Sequence, residues 1–179
     1  MKKFIILFIL ISKTISANCD VIFFPQQYAA FCYSTEFIYN FEKAKNSKNT
    51  IDFWGGVGCV GSFFYFNQPA YGFEIAIEKR HYFQPDNYKN FFISAYLGSA
   101  YMTDFKNANY IGVIPGVKIN YKAQISPKTI LEPYISLSIP VMYDIKGSQG
   151  FFPIPVLTLG ARFGLFKMKN ETAPSSRAR

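Results

Sequence analysis

The sequence predicts an all-β protein, an up-and-down antiparallel transmembrane β-barrel of eight strands, on three observations. The first is alternation. From residue 71 to 143 apolar side chains hold the odd positions: Tyr71, Phe73, Ile75 and Ile77, then Phe91, Ile93, Ala95 and Leu97, then Ile111, Val113, Val117 and Ile119, then Ile135, Leu137, Ile139 and Val141. Small or charged residues such as Gly72, Glu74, Gly112, Lys118 and Ser136 hold the even ones. A period of two sends successive side chains to opposite faces of a strand. The second observation is length: most of these segments run 10 to 14 residues, enough for a tilted strand to cross a bilayer's apolar layer and about twice an ordinary strand. The third is that no helical pattern offers cover for the apolar face, and no run of 18 apolar residues follows residue 17. Crossing must therefore be by a closed sheet, apolar toward lipid and polar toward its interior.

Residues 1–17 read as a secretory leader, with Lys2 and Lys3 ahead of the apolar segment Phe4 to Ile11 and the small pair Ser16 and Ala17 at its end. Removing Lys2, Lys3 and Lys13 with the leader leaves about +5 of the formal +8, in short groups spread over loops and tail. That distribution makes no nucleic-acid footprint. The barrel is assigned to residues 18–166, and the polar, basic residues 167–179 to a disordered tail.

Within the barrel, residues 20–29 offer either a short first strand or an irregular edge, because Pro25 cannot donate to a ladder. Ala30 to Phe41 alternates clearly, and the lysine-rich stretch Glu42 to Thr50 is expected to turn. Ile51 to Phe63 places Phe53, Val57 and Cys59 outward and Asp52, Trp54, Gly56 and Gly58 inward. Four further strands are expected over 71–80, 91–102, 110–122 and 130–143, and a last one over 151–166. Seven segments are thus well marked, whereas single-chain bacterial barrels close on an even number. The eighth comes from residues 20–29 or from splitting one long segment. Pro133 and Pro140 stand against the strand 130–143 unless a ladder bond is missing there or a bulge forms. Cys19, Cys32 and Cys59 cannot all pair, and Cys32 and Cys59 fall on opposite faces, so free thiols are expected.

The aromatic-ended strands "GFEIAIEKRHYF" (72–83) and "FFISAYLGSAYM" (91–102), with "YIGVIPGVKINYK" (110–122), "ILEPYISLSIP" (130–140) and the closing "LTLGARFGLF" (157–166), make the chain resemble a known group. It is similar to the small outer-membrane β-barrels of Gram-negative bacteria, and among them to a family defined only as a domain of unknown function. The resemblance implies a location in the cell outer membrane after secretion through the inner membrane. It also implies contact with outer-membrane lipid and lipopolysaccharide, and dependence on the barrel-insertion machinery. It leaves the activity and any protein partner open.

An eight-stranded barrel is too narrow for a water-filled pore, so its side chains fill it. The inward phase holds Glu36, Asp52, Glu74, Glu78, Arg80, Lys118, Lys122, Glu132 and Arg162, a set of mixed sign suited to an internal charge network, since unpaired buried charges are costly. Tyr71, Tyr82, Tyr101, Tyr110, Tyr121 and Tyr143, near strand ends, are expected to form an aromatic girdle at the lipid headgroups, with Tyr134 beside them.

His81 is the sole histidine and hence the catalytic candidate for acid-base work at neutral pH. Two classes of small barrel enzymes that act on lipid A use such a histidine with a serine or acid. Here no serine follows before Ser94, so an interfacial histidine is the simpler reading. One histidine and three scattered cysteines build no zinc site. Gly55, Gly56, Gly58 and Gly61 lack the Lys and Ser/Thr of a phosphate loop, so neither metal nor cofactor is expected.

A structural or surface-interaction barrel with a plugged, charged lumen and no transport pore is the leading expectation, and the chain is not expected to be an enzyme. A lipid A-modifying enzyme using His81 is the alternative. A soluble lipocalin-like carrier, with the apolar face turned inward, is the third.

Overall fold

A computed structural model describes residues 15–24, 30–62, 70–84, 89–106, 109–145, 153 and 155–165; the side chains of β1, of the first residues of β2 and of Ser62 fall outside that description. Most of the expected leader and all of the expected tail lie outside the described residues. The described strands are β1 (Ile15–Phe24), β2 (Ala30–Ala44), β3 (Asn49–Ser62), β4 (Ala70–Tyr82), β5 (Asn90–Thr103), β6 (Asn109–Ser126), β7 (Thr129–Ser138), β8 (Val141–Asp144) and β9 (Val156–Leu165). Among the described residues no helix is long and apolar enough to cross a membrane.

Every pairing among the described strands is antiparallel: consecutive strands pair from β1 to β7, β8 returns to β6 and β9 to β7, and the ring closes because β1 pairs with both β2 and β9. Closure satisfies the backbone groups that an open edge would leave bare in lipid. Residues 20–24 therefore do contribute a strand, which reaches back to Ile15, inside the expected leader, while residues 25–29 lie outside the described residues.

The nine segments make eight staves because β7 and β8 are one strand interrupted. Both pair with β6 in a single register: Gly116 faces Ser138, and Val113 faces Val141. Between those pairs Pro140 lies across from Ile114, and Pro115 on β6 also lacks an N–H, so the ladder lapses there except for a bond from Ile139 N to the Pro115 carbonyl at 3.0 Å. Pro133 is accommodated in the same way. The β6–β7 pairs run from Asn120–Tyr134 to Ala123–Leu131 and skip the positions facing Pro133 and Glu132, while Pro133 keeps its place opposite Ala161 on β9. The last described strand begins at Val156, directly after Pro155, which like Pro153 cannot donate to a ladder; residues 151, 152 and 154 of the expected strand lie outside the described residues.

The phase read from the sequence is the phase observed. Phe73, Ile75, Leu97, Val117, Ile119, Ile135, Leu137, Leu159 and Phe163 are exposed, while Asp52, Glu78, Arg80, Lys118, Glu132 and Arg162 are buried. Each stave whose side chains are described adds large apolar residues to this outer belt. Soluble monomers rarely expose contiguous apolar patches beyond a few hundred Å², so a belt that runs over every stave with described side chains fits acyl chains. This is a transmembrane barrel turned apolar side out, and the lipocalin-like arrangement is excluded.

The turn expected over 42–50 is in fact only residues 45–48, where Asn46 Oδ1 accepts from the backbone N–H groups of Lys48 and Asn49 at 3.1 and 2.8 Å. Glu42 thereby belongs to β2 and keeps the inward phase of Ser34, Ile38 and Asn40.

Candidate functional site

The interior divides into two halves. Toward the end that carries the 45–48 and 127–128 turns, it is filled by charge. Arg80 is fully buried at the centre of this half: Nη2 meets Asp52 Oδ2 at 2.6 Å, Nη1 meets Glu42 Oε2 at 3.2 Å and Nε meets Glu78 Oε1 at 3.2 Å, with Glu132 Oε1 at 3.7 Å. Three separate strands, β2, β3 and β7, deliver carboxylates to an arginine on β4, and Glu78 arrives from β4 itself two residues away, which the period of two places on the same face.

Lys122 Nζ bonds Glu42 Oε2 at 2.6 Å and the Tyr82 hydroxyl at 2.9 Å, and that hydroxyl donates to Glu42 Oε1 at 2.6 Å. Thr50 also donates to Glu42 Oε1, at 2.5 Å, and Asn40 donates to both oxygens of Asp52. Arg162 Nη1 lies 3.6 Å from Glu78 Oε2 and 3.7 Å from Glu132 Oε1, and Lys118 Nζ lies 3.5 Å from Glu78 Oε2. Glu42, Asp52, Glu78 and Glu132 thus stand against Arg80, Lys118, Lys122 and Arg162, a cluster balanced in charge, as burial demands.

The other half is a cavity of about 270 Å³. Its floor is formed by Trp54, Lys118, Tyr134 and Arg162, and its walls rise past Tyr96, Ala100 and Ile114 to Ala70, Tyr110, Met142 and Val156 at the strand ends. Lys118 Nζ sits 4.4 Å from the Tyr96 ring centroid, 5.1 Å from Trp54 and 5.2 Å from Tyr134, and the Arg162 guanidinium carbon 5.1 Å from Trp54. Aromatic faces thus offset part of the desolvation of the two floor cations.

Inward glycines keep this half open by letting neighbouring side chains lie flat on the sheet. A Cβ at Gly58 would come within 2.6 Å of Glu36 Cγ, one at Gly116 within 2.5 Å of the Tyr96 ring, and one at Gly98 would strike the Glu74 carboxylate. At Gly58 and Gly72 the added Cβ would also meet backbone, the Thr35 and Tyr101 carbonyl oxygens of the adjoining strands. Gly72→Ala is accordingly expected to lower folding stability by about 1–3 kcal/mol, as overpacking does. Gly98→Ala should lose much less, since the end of Glu74 can swing aside; urea unfolding of refolded protein in vesicles compares the two.

Of the residues singled out from the sequence, Asp52, Glu78, Arg80, Lys118, Lys122, Glu132 and Arg162 meet in the charge cluster, whereas Glu36 and Glu74 line the cavity. Glu42 was missed, because its lysine-rich surroundings read as a turn. Its even number, in step with Glu36 and Asn40, was the signal that could have found it.

The girdle needs correction. Tyr82 is fully buried, with its hydroxyl in the charge cluster and its ring 4.7 Å from that of Phe92. It shares the inward phase of Glu78 and Arg80, which overrides its place at a strand end. Tyr110 lines the cavity and Tyr134 is buried in its floor, for the same reason of phase. Tyr71 and Tyr143 are exposed on the outer face, and Tyr101 and Tyr121 lie beside the outward Phe73 and Phe91, with ring centroids 5.7 and 4.8 Å apart.

His81 faces outward at the end of β4. Its Nδ1 is 2.9 Å from Asn49 Oδ1, opposite it on β3, and its ring meets Phe83 edge-on. Among the described residues no carboxylate or hydroxyl side chain pairs with it. Cys59 is a free thiol; Thr35 is its register partner, while Cys32 lies opposite Ser62, three positions away along β2.

No protein-family model matches the chain, and no curated protein matches it in sequence. Among solved structures it is similar to Neisserial surface protein A (NspA), with a TM-score of 0.57 and 9% identity over 87% of this chain and 97% of that one. The translocator domain of the autotransporter NalP from Neisseria meningitidis aligns with 85% of this chain and 58% of that one, at 12% identity and a TM-score of 0.30. The likeness to NspA is one of fold, the eight-staved antiparallel barrel.

Proposed function

We propose that the chain is an integral outer-membrane β-barrel whose lumen is plugged by its own ion pairs, and that it serves a structural or surface-interaction role without conducting solutes. The observation that carries this is the buried cluster around Arg80, in which eight charges of opposite sign fill one end of the barrel. A solute would have to displace pairs drawn from six strands, each member of which is costly to leave unpaired. The apolar belt and the fold shared with NspA support a place in the outer membrane.

In this reading residues 1–17 are removed during secretion. The strand left behind, from Asn18 to Phe24, still has register partners on both β2 and β9, so the barrel remains closed. The insertion machinery then delivers the chain to a membrane where lipid and lipopolysaccharide surround the belt, and residues 167–179 form a polar tail. With the N-terminus in the periplasm, the 45–48 and 127–128 turns lie on the periplasmic side and the cavity rises toward the cell surface.

Planar-bilayer recording of the full-length mature protein tests the plug. Insertion without discrete conductance steps is expected. Stable steps that grow in number with inserted protein would overturn it, and recovery of the chain in the soluble periplasmic fraction would overturn the location. The lipid A-modifying alternative is not favoured, because His81 is held by an asparagine amide and points away from the lumen.

A further inference from the structure

The cavity above the charge cluster holds an imbalance that neither the fold nor the plug requires. Among the cavity-lining residues, the buried polar atoms without a hydrogen-bond partner are Trp54 Nε1 and Arg162 Nε and Nη2, all of them donors. Buried donors are almost always satisfied, and each one left unmade costs about 1–3 kcal/mol. Beside them, among the described residues, Lys118 Nζ has a long 3.5 Å contact with Glu78, aromatic faces around it and the weaker attraction of the Glu74 carboxylate on the wall. Above this floor the walls are mostly apolar, with Ala100, Ile114 and Met142 among them.

We infer that the cavity is a binding site for a single-chain hydrophobic carboxylate, a medium-chain fatty acid, with its carboxylate among Trp54, Lys118 and Arg162 and its chain running up between Ala100, Ile114 and Met142. The donors require acceptor atoms, and a carboxylate supplies two oxygens with several lone pairs. The low-dielectric floor strengthens its attraction to the two cations. The volume of about 270 Å³ equals about nine water volumes, room for a chain of about ten heavy atoms. Glu36 and Glu74 fix the direction. Lying flat on the walls against Gly58 and Gly98, they disfavour an anionic head higher in the cavity and leave the cationic floor as its place. The inference rests on the barrel being embedded in lipid, and the fractionation above tests that premise separately.

Trp54, the single tryptophan of the chain, reports occupancy directly. The mature protein in phosphatidylcholine nanodiscs is titrated with 10-bromodecanoate, whose bromine quenches indole emission, and with 10-bromodecanol, which lacks the charge. Saturable quenching by the acid is expected, displaced by unbrominated decanoate and at least tenfold tighter than that of the alcohol. Ala100→Phe, which fills the cavity while leaving every cluster residue in place, should weaken it at least tenfold. Ile114→Phe asks the same from β6 should the first variant fail to fold. Arg162→Lys, which keeps the charge and removes the unpartnered Nε and Nη2 donors, should erode the preference for acid over alcohol. Quenching that rises linearly with lipid-bound probe and resists displacement, equal quenching by acid and alcohol, or full binding by a folded cavity-filled variant would each overturn the inference.

Discussion

Arg80→Met is expected to destabilise the folded barrel by about 3–5 kcal/mol, the loss seen when one partner of a buried ion pair is removed. The reason is the number of carboxylates that depend on this one guanidinium. Asp52, Glu78 and Glu42 lie within 3.2 Å of its nitrogens and Glu132 at 3.7 Å, and Asp52 and Glu78 are wholly buried. Methionine fills a similar volume but leaves excess negative charge in a closed space. Adding Asp52→Asn to the variant should restore part of the loss, because the two sites share an interaction and their effects do not add. Urea titration of refolded protein in lipid vesicles, followed by the gel shift between folded and unfolded forms, measures both. A loss below about 1 kcal/mol for Arg80→Met would show that water reaches the cluster and that the plug is loose.

The outer surface gives the second large effect, and its size depends on depth. Val117, 54% exposed, lies in the middle of β6 opposite Ala95 and Leu137. Val117→Arg should therefore cost about 2–4 kcal/mol in vesicles, the range for a cation at the bilayer midplane. Ile125 is as exposed, at 59%, but stands at the end of the same strand. Ile125→Arg should cost about 0–1 kcal/mol, since its guanidinium reaches the headgroups. On a water-facing surface both changes would fall within about 0.5 kcal/mol. Equal small effects at the two positions would remove lipid from the outside of the belt.

Parity was legible in the sequence because a strand has one degree of freedom in this respect: once Ile75 faces out, Glu74 and Glu78 face in, whatever the rest of the chain does. The same parity contained the correct places of Tyr82, Tyr110 and Tyr134, but the frequency of tyrosine at membrane interfaces competed with it, and phase won because a side chain cannot leave its face without a bulge. Glu42 was hidden for a related reason. Lys43, Lys45 and Lys48 make the region read as a turn, yet two strands of a hairpin need only residues 45–48 to reverse, so Glu42 and Asn49 remain in the ladder.

The sequence by itself determined which residues face lipid and which face the lumen, since side-chain alternation is a local property of the extended backbone. It also determined that the lumen would carry mixed charge. Only the tertiary structure decided which charges meet. Arg80 finds Glu42, Asp52 and Glu132 on three other strands, and their heights depend on the stagger of a closed ring, which no single strand specifies. Closure likewise decided that β1 seals the ring against β9, that Pro115 and Pro140 fall at one gap in the ladder, and that glycines seat Glu36, Tyr96 and Glu74 flat enough to leave a cavity with unpartnered donors at its floor. These are relations between strands far apart in the chain, set by register and stagger, and they exist only once the sheet has closed on itself.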